Sequence, residues 1–319
     1  MNTLHGCTVA LLLVAATGIS TRAVAQGAQI AVDREACTNP KDAAPEQSIA
    51  ACTRLLEALA RGEITSPEGA AAHVARGNFY AVQGDVERAI GDYDRAIMLD
   101  PNRAVAFFNR AAALAASGNI DRALADYDRA IELDPMDADA HMGSGRAHYQ
   151  KKDYAAAVAD YDAALRLVPG DVEALAERGD ALERAGLYDR AAENYSRLIA
   201  IEPGNAKAWN NRCWDRAVLG LLEDALADCN EALRLAPDDP GALDSRGFTY
   251  LKLGRFEQAI VDYDAALARN PREPGSLYGR GLARLQGQSD PDGGRADLAA
   301  AKALDPGIAE EFARYGLRE

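Results

Sequence analysis

From Ala70 onward, apolar residues fall three and four apart, as in Ala89, Tyr93, Ala96 and Ile97, the spacing of one helix face. The pattern then returns at a fixed interval. Prolines close successive copies at Pro101, Pro135, Pro169, Pro203, Pro237 and Pro271, each 34 residues after the last, and Pro306 arrives one residue late. Ahead of them run related phrases such as AIGDYDRAIMLDP, ALADYDRAIELDP and AIVDYDAALARNP. A period of this length is the mark of a stacked repeat protein. Each copy predicts two helices of about a dozen residues, parted by a turn at Gly84, Gly118, Gly186, Gly220 or Gly254.

Superposing the copies exposes columns. Small residues recur at Gly77, Ala111, Gly145, Gly179, Cys213, Gly247 and Gly281, and again at Ala89, Ala123, Ala157, Ala191, Ala225 and Ala259. Tyr93, Tyr127, Tyr161, Tyr195 and Tyr263 form an aromatic column that Cys229 interrupts. Small residues let the paired helices approach, and the rings fill the space beside the next hairpin. A charged column precedes the first small one: Arg76, Arg110, Arg178, Arg212, Arg246 and Arg280. Sixteen residues on stand Asp92, Asp126, Asp228 and Asp262, with Asp297 near the same place. An Arg–Asp ladder of exposed pairs, worth at most about 1 kcal/mol each, is expected. The sequence leaves open whether it runs within or between hairpins.

These columns resemble those of the tetratricopeptide repeat: a bulky residue (Trp209 in the fifth copy), a small one, an aromatic, then Ala, Tyr, Ala and Pro. The resemblance covers about three quarters of the chain and implies an all-α fold, a right-handed α-solenoid of stacked helix–turn–helix hairpins. Residues 67–307 hold seven repeats, and 26–66 a degenerate hairpin ahead of them. In the seventh copy GQSDPDGG (287–294) replaces the usual turn, which predicts a splayed hairpin. Residues 308–319 read as a capping helix, with Phe312 and Tyr315 covering the exposed end of the stack.

The beginning of the chain changes the setting. Val9–Ala16 is apolar and Ala23-Val24-Ala25 offers a cleavage site before Gln26, so residues 1–25 read as a signal peptide and the protein as periplasmic or secreted. Its start lacks Lys and Arg, a departure from the usual leader. Cleavage removes Cys7 and leaves two pairs, Cys37/Cys52 and Cys213/Cys229, 15 and 16 residues apart. In an oxidising compartment these are expected to be disulfides.

The formal charge of −14 argues against nucleic acid and anionic membrane surfaces as partners, and no stable membrane insertion is expected after cleavage. Catalytic chemistry is equally sparse. His73 and His141 lie two repeats apart, Gly143-Ser144-Gly145 falls inside a helix, and Asp290-Pro291-Asp292-Gly293 lacks the remaining ligands of a calcium loop. No enzyme, cofactor or metal is expected.

The resemblance directs attention to the face lined by the first helix of each copy, which in the family receives a peptide or helix. Residues flanking the small column mark it: Asn78, Phe108, Asn109 and Arg146, then Asn210, Asn211, Trp214, Asp244, Phe248 and Tyr278. Rings offer rigid apolar area and amides can bond a partner's backbone. A carboxylate clamp is not expected, because Val74, Asp139 and Gly143 stand where it needs basic residues or their equivalents. A protein-binding scaffold is therefore expected; the rival is a glycan or small-molecule binder stacking its ligand on Trp214, Phe248 and Tyr278.

Overall fold

The computed structural model of the protein describes residues 24–39 and 44–319. The expected signal peptide lies outside them, except for its last two residues. All regular structure among the described residues is helical. The chain forms two compact units, the first ending at Lys151 and the second running from Lys152 to Glu319.

The first unit begins with α1 (24–38) and α2 (Pro45–Ala60). It continues through α3 (Ser66–Val82), α4 (Val86–Leu99), α5 (Ala104–Ala116), α6 (Ile120–Leu133) and α7 (Ala138–Gln150). The second contains α8 (Tyr154–Leu167) and the hairpins α9 (Val172–Arg184) with α10 (Tyr188–Ile201) and α11 (Ala206–Val218) with α12 (Leu222–Leu235). After these come α13 (Pro240–Lys252) with α14 (Phe256–Arg269), α15 (Pro274–Gln286) with α16 (Pro291–Leu304), and the short α17 (Ile308–Arg314).

Local chemistry sets these boundaries. Asp85, Asp171, Asn205 and Asp239 accept backbone N–H bonds at helix starts, satisfying donors that have no intrahelical partner. Helices stop just before the column proline, which has no N–H to continue the ladder. Each hairpin turn needs one residue with positive φ. Glycine supplies it in five copies, while Lys152 (φ 62°) and Gln288 (φ 54°) adopt it in the other two.

Two columns explain the close packing. A Cβ on Gly77 would stand 2.6 Å from the Tyr93 ring, and one on Gly179 would stand 2.5 Å from Tyr195. The small column thus lies directly on the tyrosine column, at the closest approach of the paired helices. In the α11–α12 hairpin, Cys213 and Cys229 occupy those same two positions. Their Cα atoms are 5.3 Å apart and their sulfurs are paired. Cys37 of α1 and Cys52 of α2 pair likewise, with Cα atoms 4.8 Å apart in a small core of their own.

The seventh copy corrects an expectation. Its hairpin is not splayed: a Cβ on Gly281 would lie 3.0 Å from the Gly294 carbonyl oxygen, and one on Gly294 2.9 Å from that of Gly281. Two facing glycines bring the backbones together. The extra residue is absorbed in the turn, where the Asp290 side chain caps the Gly293 N–H.

The Arg–Asp ladder runs both within and between hairpins. Arg246 places Nε and Nη2 on the two oxygens of Asp262, at 2.7 and 2.8 Å, and Nη1 on Asn230 of the preceding hairpin. Arg280 divides in the same way between Asp297 and Asp264, and Arg110 between Asp126 and Asp94. The expectation of exposed pairs is corrected for the within-hairpin carboxylates, which are buried: Asp92, Asp228 and Asp262 retain 2–4% of their surface, whereas Asp94 and Asp264, the partners in the preceding hairpins, stay about half exposed. Desolvation makes each of these buried within-hairpin pairs costly to break from one side. We expect Asp262→Ala to lower unfolding free energy by about 3 kcal/mol in denaturant melts. Glu231→Ala, which removes the exposed partner of Arg234, should leave the same melt unchanged.

Candidate functional site

Within each unit the first helices touch one another, α3 with α5 and α5 with α7, then α11 with α13 and α13 with α15. Their shared face carries the residues singled out from the sequence. In the first unit Asn78 Oδ1 accepts 2.8 Å bonds from the Tyr93 hydroxyl and from Asn109 Nδ2. Phe108 is half-buried against Tyr127, with ring centroids 6.0 Å apart, and Arg146 is exposed on α7. The same bridge recurs in the second unit, where Tyr195 donates to Asp180 and Asn211 donates to Tyr195. These amides therefore join successive hairpins.

The face of α11, α13 and α15 differs from expectation. Phe248 and Tyr278 are not open platforms; each keeps 1% of its surface. α17 and the residues after it lie across them. Phe312 packs on Tyr278 at 4.7 Å and on Phe248 at 5.9 Å between ring centroids. Tyr315 meets Trp214 edge-on at 5.5 Å and Phe248 at 5.8 Å. Phe312 and Tyr315 thus cover this inner aromatic face, while α17 also lies against α15 and α16 of the last hairpin. Leu317 is buried beside them, Gln286 donates to the Arg318 carbonyl, and Glu319 accepts from the Tyr278 hydroxyl and pairs with Lys302. Asp244 is held by the Ser276 hydroxyl, and Asn210 is half-buried.

Residues that the sequence pattern did not single out lie nearby. Asp215 is wholly buried on α11, and neither carboxyl oxygen has a hydrogen-bond partner. Burial, then the nearby Glu183, pushes its carboxyl up to about 9. Burial also lifts Glu183 to about 7 and Asp244 to about 6. A column signal could have revealed Asp215, because its counterparts are Phe79, Ala113, Ala147, Ala181, Thr249 and Ala283, none of them charged. Two further concavities, of about 380 and 160 Å³, lie against the ladder arginines Arg76 and Arg178, whose guanidiniums are already bonded to neighbours. Among the described residues no three potential ligands gather to hold a metal ion, and no helix is long and apolar enough to cross a membrane.

Family profiles described as tetratricopeptide repeat match residues 70–103, 108–172, 176–240 and 245–273, together more than half of the chain. Among solved structures, YrrB, a TPR protein with an unusual peptide-binding site, is similar at 25% identity and a TM-score of 0.53. That match covers 59% of this chain and 97% of YrrB. The MamA protein is similar at 22% identity and a TM-score of 0.50, over 53% of this chain and 92% of MamA, and supports the fold alone. No curated protein matches the sequence.

The buried carboxyl has a measurable signature. Asp215 titrates near 3.9 when unfolded and higher when folded, so its contribution is whole below about pH 4 and is lost as pH rises toward 9. Asp215→Asn should match wild type at pH 4 and exceed it by an amount on the order of 3 kcal/mol near pH 7. Equal pH profiles in thermal melts would contradict the assignment.

Proposed function

Because the chain belongs to the tetratricopeptide repeat family, we propose that it is a non-catalytic scaffold that binds a polypeptide on its first-helix faces. The observation that carries this reading is the docking of α17 on α11, α13 and α15, a polypeptide segment seated on rings of the second unit. The peptide-binding site of YrrB agrees with it. The corresponding face of the first unit offers Phe108, Asn109 and Arg146 to a partner. A stacked sugar is the weaker reading, since Phe248 and Tyr278 lie beneath protein side chains.

We place the protein outside the cytoplasm, in the periplasm or secreted. Two cysteine pairs support this, because thiols brought this close are kept reduced in cytosol and oxidised beyond it. The apolar leader reading of residues 1–25 agrees.

Binding is tested by capturing envelope proteins with the chain lacking residues 1–25, then with Phe108→Ala/Asn109→Ala. Truncating a central aromatic anchor typically costs about 2 kcal/mol, so binding of the identified partner should weaken at least about tenfold, measured at a temperature where circular dichroism shows both forms folded, because Phe108 also packs on Tyr127 and Asn109 bonds Asn78. Unchanged capture would exclude this face. Retention of a soluble oligosaccharide with no captured protein would favour the sugar reading.

A further inference from the structure

Within α17 only seven residues are helical. An isolated helix shorter than about 12–15 residues is marginal in water, so α17 owes its shape to the surface it lies on. That surface is specialised. The position just after the small column holds Asn78, Ala112, Arg146 and Asp180 in the first four copies, then Trp214, Phe248 and Leu282. Polar or small residues serve there in four hairpins, so packing the repeat does not require an aromatic. The change to large apolar side chains coincides with the three first helices that the tail meets, α11, α13 and α15; it rests on α16 besides.

The contacts define what the surface accepts. Ile308 and Phe312 are buried, and Tyr315, nearly one turn beyond Phe312, sits among Trp214, Phe248 and Tyr188. Polar anchors follow at the edge, where Glu319 meets Lys302 and the Tyr278 hydroxyl. Buried aromatics ringed by satisfied polar groups form the energetic centre of many protein interfaces.

We propose that the face of α11, α13 and α15 is a receptor for a short helix from a partner protein, carrying two aromatic side chains about one turn apart and an acidic residue beyond them. α17 is its tethered occupant, displaced by a segment of the same chemistry. The proposal deepens the scaffold reading and rests on it. Exchange is balanced, because an incoming helix restores the burial and the Lys302 pairing that α17 gives up. The short link Asp305-Pro306-Gly307 sets a threshold: a tether of this kind holds its segment at an effective concentration on the order of millimolar. Wild type therefore resists its own tail sequence added as a free peptide.

The test uses a fluorescein-labelled peptide of residues 305–319 and the full chain. At micromolar concentration the peptide should not bind wild type. It should bind the Phe312→Ala/Tyr315→Ala chain at least tenfold more tightly than wild type. The peptide carrying both alanines should bind neither chain. Trp214 emission should shift to the red in the variant and return when peptide is added. A variant that keeps its helical circular dichroism yet fails to bind peptide would overturn the proposal. A second form guards against misfolding: a protease site inserted between Asp305 and Ile308 is cut after folding. The severed tail should stay bound and exchange with labelled peptide; a tail that leaves without rebinding, or never exchanges, overturns the proposal. A variant that binds peptide but captures no envelope protein refutes the scaffold reading and keeps the receptor site. Capture of a partner without peptide binding does the reverse.

Discussion

In six of the seven copies an arginine fork just before the first small column joins a hairpin to the one before it; Ser144 replaces it in the third. The fork's Nε and Nη2 grip a buried carboxylate on the second helix of the same hairpin, and Nη1 reaches back to the hairpin before. A planar guanidinium suits this double duty, because its donors are fixed in a fork that a lysine lacks. Hydrophobic burial presses the helices together without dictating how far one hairpin slides along the next. The directional bonds of the fork dictate that offset. Where the pattern loosens, the geometry adapts: Arg178 binds Asn194 within its hairpin and takes a full ion pair from Asp162 of the preceding one.

Three consecutive residues on each first helix divide the work. Successive side chains point about 100° apart around a helix, so neighbours in sequence face different surroundings. In one hairpin Arg212 joins its neighbours, Cys213 lies at the closest helix contact, and Trp214 reaches the inner face. The first two positions are constrained by packing and recur through the chain. The third varies, from Asn78 and Arg146 to Trp214 and Phe248.

The helices, turns and small-on-tyrosine contacts were legible because each copy repeats the same physical requirement. The cysteine pairing was legible for the same reason, as a joint break in two columns that touch. Burial of the ladder was not, since an Arg–Asp spacing is the same on an exposed or a buried side. The seventh turn misled because two facing glycines, Gly281 and Gly294, repair what the insertion disturbs. Phe312 and Tyr315 belong to no column, so their resting place on Trp214, Phe248 and Tyr278 could emerge only from the folded chain.

A double-mutant cycle on Arg110 and Asp94 tests most directly the claim that the fork joins neighbouring hairpins. Their bond is 2.5 Å long and crosses from α5 to the hairpin before it. The two alanine substitutions should be non-additive in unfolding free energy by about 1 kcal/mol. Strict additivity would show that each fork serves its own hairpin alone, and would contradict the account.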